Sequence, residues 1–423
     1  MRDTLIKAST ILVLLTAACG FTSRSDREDL PPVHLNEVLT NEISSFPELA
    51  PMDAAIDSFR TVWNLKGLSF AVMRNDSLLY AKGYGYADAE NGEPMTPGTT
   101  LRLASVSKLL TAIAIMKLSE EGHFSLQSPV FGPFGVLKGY DDVIVDERHF
   151  LITVEHLLRH QGGLYYGRND PMFTTPAHMR SLGISTPPTQ DQIARLLLSR
   201  RMEFEPGTYQ QYSNFGYMLL GMIVEQVSGK PYAQYMQEDI FEPSGCFGFT
   251  IAGNYQADRH PGESRYYLQP DADLVPEYNG SGRYVNRCYG GSDIKTLGGA
   301  GAWTGSAPEL ARIVACIDNR GPIKDILSEE SILRMSLQDG EETYPLGWMD
   351  SRDGVLSRTG TLSGTSALIR LYPDGECWIM ISNTSSWRGS HFTKNIGALF
   401  TKLRNRFSGK MPERDLFTLR SGE

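Results

Sequence analysis

The chain has 423 residues, 41% of them hydrophobic and 21% charged, with a formal net charge of -9 at pH 7. Its length exceeds one typical domain and its apolar content is ample for a core. The acidic balance, with no Lys/Arg-rich stretch, argues against nucleic acid as a partner.

The first residues read as a targeting segment. Arg2 and Lys7 precede the apolar run Ile11, Leu12, Val13, Leu14 and Leu15, which is too short to span a membrane, and then Thr16-Ala17-Ala18-Cys19. Small residues ahead of a cysteine are similar to a bacterial lipobox. On that reading residues 1–18 are a lipoprotein signal peptide and Cys19 is acylated. Residues 19–48 then form a polar tether that holds the body at the periplasmic, outer-membrane or cell-surface face. An ordinary secreted protein cleaved nearby is the other option. Export permits disulfides among Cys246, Cys288, Cys316 and Cys377, and loop-like surroundings favour a pairing of Cys246 with Cys288.

Residues 50–64 predict a helix with Met52, Ile56, Phe59 and Trp63 on one stripe. Two strand-like runs follow, joined by the hairpin signal Asn75-Asp76. After the breaker Thr96-Pro97-Gly98 comes SVSKLLTAIAIMKL, a helix apolar nearly all round and therefore expected to be buried. Residues 150–160 suggest a further helix, 165–188 a long loop rich in Pro, Gly and Thr, and Thr189 a cap for a helix through Leu198. TYQQYSNFGYMLLGMIVEQVSGKP begins a second apolar helix stopped by Gly229 and Pro231. Residues 252–290 have no readable period. Ser306 and Glu309 form a capping-box pattern with Pro308 in the first turn. Two strands, SALIRLY and ECWIMISN, flank Pro373-Asp374-Gly375, and HFTKNIGALFTKLRNRF is a closing amphipathic helix.

This order predicts an α+β fold, an antiparallel sheet flanked by N- and C-terminal helices and interrupted by an all-helical insertion. The sheet domain would comprise 49–100 and 291–410, and the helical domain 101–290, with insertions at 165–188 and 252–290. Residues 411–423 would be a tail.

Ser105-Val-Ser-Lys108 carries the chemistry. A serine hydroxyl needs a neighbouring base to become a nucleophile. Residues three apart share a helix face, and burial lowers a lysine's pKa, so Lys108 is suited to take the proton. The alternative is a helix-capping serine with a snorkelling lysine. A second copy, Ser292-Asp-Ile-Lys295, precedes a glycine-rich stretch and reads as a surface loop.

Tyr212-Ser-Asn214 offers a phenol for proton shuttling and an amide for orientation. Alone, it is equally a cap with a packed tyrosine. Arg358-Thr359-Gly360-Thr361 offers a cation for a carboxylate and a glycine for close approach, or simply a turn with a solvated arginine. His156 and His160 are four apart without the glutamate of a zinc-protease motif, so no metal is expected. No Gly-x-Ser-x-Gly elbow is present.

Together the ordered motifs, with the flanks KGYGYAD, RLASVSK, EHLLRHQGGL, EPGTYQQYSNFGYMLLG and GAGAWTGSAPELAR, resemble the serine β-lactamase/penicillin-binding superfamily in its class C-like branch. The resemblance covers roughly residues 50–405. It implies a β-lactamase/transpeptidase-like fold and an SxxK serine hydrolase that needs no cofactor. Its substrate would be a small molecule or peptide (D-Ala-type peptide, β-lactam or acyl ester), with a carboxylate among the candidate recognition groups. Ser105 would be the nucleophile, Lys108 and Tyr212 would share the proton work, and Asn214, Arg358, Thr359 and Gly360 would bind substrate. The Ser105 and Thr361 backbone N–H groups would form the oxyanion hole. The family usually has Lys or His where this chain has Arg358, which keeps its proton at working pH. That departure argues against efficient β-lactamase activity and leaves an alternative, a degenerate member that binds cell-wall fragments without turnover.

Overall fold

The computed structural model describes residues 34–338 and 343–419; the signal peptide, Cys19 and the first part of the tether lie outside the described residues. At its centre are three strands near the N-terminus, β1 (Gly67–Arg74), β2 (Ser77–Asp88) and β3 (Glu93–Pro94), and three near the C-terminus, β4 (Leu356–Leu362), β5 (Thr365–Leu371) and β6 (Glu376–Ser382). They form one six-stranded sheet in the order β3-β2-β1-β6-β5-β4, with every pairing antiparallel. Asn75 and Asp76, both at positive φ (45° and 64°), make the tight β1–β2 turn, as the hairpin signal requires.

Alternation along the strands sorts the two faces. Phe70 and Val72 stand opposite Met380 and Trp378 in register and pack with Met52 and Ile56 of α1 (Ala50–Val62). Phe392, Ile396 and Phe400, from the closing helix Phe392–Phe407, complete that layer. Ala71 stands opposite Ile379 on the other face and joins the larger core. That core holds two helices, α2 (Ser107–Glu120) and α3 (Asn214–Ser228), buried along most of their length. The predicted α+β architecture, an antiparallel sheet with helices from both termini, is what forms.

Several local expectations differ. Residues 165–188 are not one long loop. Asp170 caps the short turn Pro171–Phe173, and a helix follows at Thr175–Leu182, closed by Gly183 at φ 67°. Pro171 and Pro176 open these turns, where a missing N–H is harmless. Ser292–Lys295 is not a surface loop either: Asp293 caps the helix Ile294–Leu297, and Ile294 and Leu297 are buried. Residues 34–48 do not hang free. Leu35 and Leu39 are buried, Asn36 donates to Glu309 at 2.8 Å, and Ser44 accepts from the Ala81 N–H at 3.0 Å. Leu416 and Phe417 likewise pack into the core from the expected tail.

Cys246, Cys288, Cys316 and Cys377 are free and buried, which overturns the Cys246–Cys288 pairing. Cys246 sits against the Glu309 carbonyl (3.5 Å), whereas Cys288 lies beside Tyr266 and Gly364. The segment that carries Cys288, 252–290, contains the turn Gln256–Asp258 and the short strand pair Val275–Pro276 and Tyr284–Val285. It is held by a buried side chain instead: the Arg102 guanidinium donates to the Cys288 and Gly253 carbonyls and lies over the Tyr266 ring. Anchoring of that kind leaves no periodic pattern.

Candidate active site

Ser105 sits in a single 3-10 turn, Ala104–Val106, that leads into α2. Ala104 just before it holds φ at 50°, a left-handed conformation uncommon for a residue with a Cβ. The kink presents Ser105 half-buried at the cleft while Lys108, one turn on, is fully buried.

Three segments converge on the hydroxyl. Tyr212, just ahead of α3, donates its Oη–H to Ser105 Oγ at 2.8 Å, and Lys108 Nζ lies 3.3 Å from the same oxygen. From the sheet's edge, Arg358 of β4 donates Nε–H to the Ser105 carbonyl (2.8 Å) and directs Nη2 at Tyr212 Oη (3.4 Å). The structure therefore brings Ser105, Lys108, Tyr212 and Arg358 together. The three distant stretches meet.

Lys108 Nζ has two further acceptors, Asn214 Oδ1 at 2.6 Å and the Ala300 carbonyl at 2.5 Å. An ammonium fills all three positions. A neutral amine keeps both carbonyl partners and turns its lone pair toward Ser105, the geometry a base requires. Burial, foremost, and the Arg358 charge push Lys108 below the ordinary lysine range, against the pull of Tyr212 and Asp170. Burial pushes the Tyr212 phenol up, but the Lys108 and Arg358 cations outweigh it and hold the phenol below its ordinary value. The amine and the phenol are thus both held below their ordinary values and, being in contact, titrate as a pair.

Some expected binding residues do other work. Asn214 uses its carbonyl on Lys108 and its Nδ2–H on Asp170 (2.6 Å), so it orients the amine rather than a substrate. Arg358 is buried and engaged with Ser105 and Tyr212, not open to a substrate carboxylate. A Cβ on Gly360 would meet the Leu103 carbonyl at 2.2 Å. This glycine lets β4 close on the nucleophile's own turn, not on a substrate. Thr359 and Thr361 line the cleft beside Ser105, so both residues expected at the oxyanion hole border it.

Several contributors escaped the sequence reading. The Ala300 carbonyl reaches Lys108 because Gly299 passes between α2 and α3, where a Cβ would meet Thr111 Oγ1 and the Tyr217 carbonyl at 2.9 Å. The run GGAGAW was the available signal. Asp170 was hidden in an apparent loop, although Asp before Pro is a capping pattern. His160 stacks on the Tyr212 ring (4.3 Å between centroids) and accepts the Ser213 N–H at Nδ1. Burial, then Lys108 and Arg358, hold His160 well below the usual histidine range, so it is neutral. His156 accepts the Thr153 N–H as part of a helix cap.

The cleft over Ser105 encloses about 290 Å3. Phe173, Leu297, Met349 and Leu362 supply its apolar walls, and no residue lining it carries a formal charge among the described residues.

The family model for beta-lactamase matches residues 52–401. The chain belongs to the beta-lactamase family. Esterase EstB of Burkholderia gladioli is 30% identical over 71% of this chain and 77% of its own length. The putative penicillin-binding protein PbpX of Bacillus subtilis (strain 168) is 25% identical over 75% of this chain and 71% of its own. Among solved structures, a D-amino acid amidase from Ochrobactrum anthropi SV3 superposes with a TM-score of 0.64 at 22% identity, covering 85% of this chain and all of its own (100%). A penicillin-binding protein homologue from Pyrococcus abyssi gives 0.63 at 24%, covering 87% and 79%. These matches bear out the superfamily and the serine-hydrolase class inferred from the beta-lactamase family's ordered motifs.

Proposed function

We propose that this protein is an exported serine esterase that cleaves esters of uncharged acyl groups through an acyl-Ser105 intermediate. The observation that carries the substrate class is the uncharged, largely apolar cleft, with Arg358 engaged behind the nucleophile rather than exposed in front of it. The printed name of the Burkholderia gladioli relative, an esterase, supports the same reading.

In the first half-reaction Ser105 Oγ bonds to the acyl carbon while its proton passes to the Tyr212–Lys108 pair. The pair returns that proton to the departing alcohol as the ester C–O bond breaks. Water then bonds to the acyl carbon and gives a proton to the pair, which passes it to Ser105 Oγ as the acyl C–Oγ bond breaks, releasing the carboxylic acid. The oxyanion of each tetrahedral intermediate would lie against the Ser105 and Thr361 N–H groups.

β-Lactams and D-Ala peptides carry a carboxylate, and no residue lining the cleft over Ser105 supplies a countercharge for it; Arg352, Arg370 and Lys394 line a neighbouring pocket that shares Met349, Thr359 and Ser390. Desolvating a polar group without a partner costs about 1–3 kcal/mol, and a charged one more. The expected result is a kcat/KM for p-nitrophenyl butyrate roughly 10- to 100-fold above that for nitrocefin or a D-Ala-D-Ala peptide. A preference for either carboxylate-bearing compound overturns the substrate class, and single-turnover acylation without release favours the non-catalytic binder. Export rests on the leader and on Cys19. With lipid anchoring, the wild type partitions into detergent and Cys19→Ser into water; identical partitioning removes the anchor.

A further inference from the structure

Behind the reacting atoms lies a carboxylate that neither transfers a proton to Ser105 nor lines its cleft. Asp170 accepts the Met172 N–H at Oδ1 (3.0 Å) and the Asn214 Nδ2–H at Oδ2 (2.6 Å). Asn214 in turn accepts from Lys108 Nζ at 2.6 Å, and Lys108 reaches Ser105 at 3.3 Å. The segment that carries Asp170 is pinned in place: the His178 ring lies 2.7 Å from the Pro171 carbonyl, and Thr174 Oγ1 donates to that same oxygen.

An asparagine amide is nearly symmetric in shape but not in chemistry. Flipped, it would present an NH2 to Lys108, donor against donor, and remove one of the acceptors that fix the amine. Nothing in the side chain itself prevents this. The carboxylate does, because it can only accept while ionised and so demands the NH2 end of Asn214. We propose that Asp170 is a positioning residue for the esterase reaction: it locks the Asn214 amide so that the carbonyl end holds Lys108 against Ser105. The inference rests on the acyl-Ser105 reading and extends it to a residue outside the three motifs.

Charge acts in the same direction as geometry. The groups facing Lys108 are Tyr212, Arg358, Asp170, the neutral His160 and the Tyr217 ring. Among them Tyr212 and then Asp170 favour the protonated amine, and Arg358 opposes it. Neutralising Asp170 therefore lowers the pH at which the amine–phenol pair releases its first proton.

Asp170→Asn is the informative variant. Asparagine keeps the size and remains a good cap for the Pro171–Phe173 turn, but with its carbonyl on Met172 it turns an NH2 toward Asn214. In the full chain with p-nitrophenyl butyrate, kcat should fall roughly 10- to 100-fold, the scale of a misplaced catalytic group. KM should change little, and the acid limb of the kcat/KM profile should move to lower pH. Asp170→Ala, which also removes the cap, separates folding from positioning: a lower melting temperature accompanies it but not the asparagine variant. Wild-type kcat and an unmoved acid limb in Asp170→Asn overturn the positioning role, as does loss of kcat with unchanged pH dependence and a melting temperature as low as that of the alanine variant. If Ser105→Ala retains turnover, it is the acyl-serine reading that fails, whatever Asp170 does.

Discussion

At Arg358 the positive charge is fixed between the Ser105 carbonyl and the Tyr212 hydroxyl, so it acts on protonation rather than on a substrate. It lowers the pKa of both Lys108 and Tyr212. Without it the pair holds its proton to higher pH, so Arg358→Ala should move the acid limb of kcat/KM upward, opposite to Asp170→Asn, with little change in KM for a neutral ester. A pH–rate profile of each variant checks the signs. Tyr212→Phe removes the phenol half of the proton-sharing pair and should lower kcat about 10²- to 10⁴-fold in the same assay. The residue types of this site were legible in SVSK and YSN because side-chain chemistry is written in the sequence. What each contact is used for was not. Asn214 and Arg358 look like substrate ligands until the partners at 2.6 and 2.8 Å are seen, and a backbone acceptor such as the Ala300 carbonyl has no side chain to announce it.

The edge strand β4 carries the third motif, and its distance from the Ser105 turn is set by Gly360. Gly360→Ala would drive a methyl onto the Leu103 carbonyl, a backbone atom that cannot swing away. Overpacking of this kind costs about 1–3 kcal/mol; the urea midpoint should fall, and acylation by a fluorophosphonate should slow as the cleft distorts. Thr189, by contrast, caps Gln190–Leu198 in a reciprocal box with Gln192, and Thr189→Ala should cost about 1 kcal/mol in the same unfolding measurement. Elements with a clear period or cap were readable: α1, the β1–β2 hairpin, the Thr189 helix, α3 and the closing helix. Those built from prolines, such as Pro171–Phe173, read as loops because proline starts helices as readily as it breaks them. Residues 252–290 are organised by Arg102 from a distant part of the chain, which no local pattern reveals.

Across the whole molecule the sheet joins N-terminal and C-terminal strands, and Asp76 of its buried hairpin turn lies beside Asp318 from the loop after the helix Ala307–Ala315. Asp318 is pushed up to about 7 by burial and by the neighbouring Asp76 and Asp325 carboxylates. The folded protein keeps a proton there that the unfolded chain releases, so that stabilisation is full below the unfolded value of 3.8 and is lost as pH rises through about 7. Asp318→Asn should therefore melt higher than wild type at pH 8, with the gap narrowing toward pH 4; a constant gap would show that the carboxyl is not perturbed. The antiparallel sheet was legible because strand signals recur near both ends of the chain, but the middle, read as all-helical, also carries the short strands Leu101–Arg102 and Thr250–Ile251 of a second sheet. The proton-linked groups were not legible, since Asp76 and Asp318 are far apart in sequence. The esterase proposal requires Ser105 to form the covalent intermediate with an uncharged acyl group. Intact-mass measurement after mixing with p-nitrophenyl butyrate tests it directly: a butyryl adduct mapped to Ser105, absent in Ser105→Ala, is the predicted result, and full turnover by Ser105→Ala contradicts it.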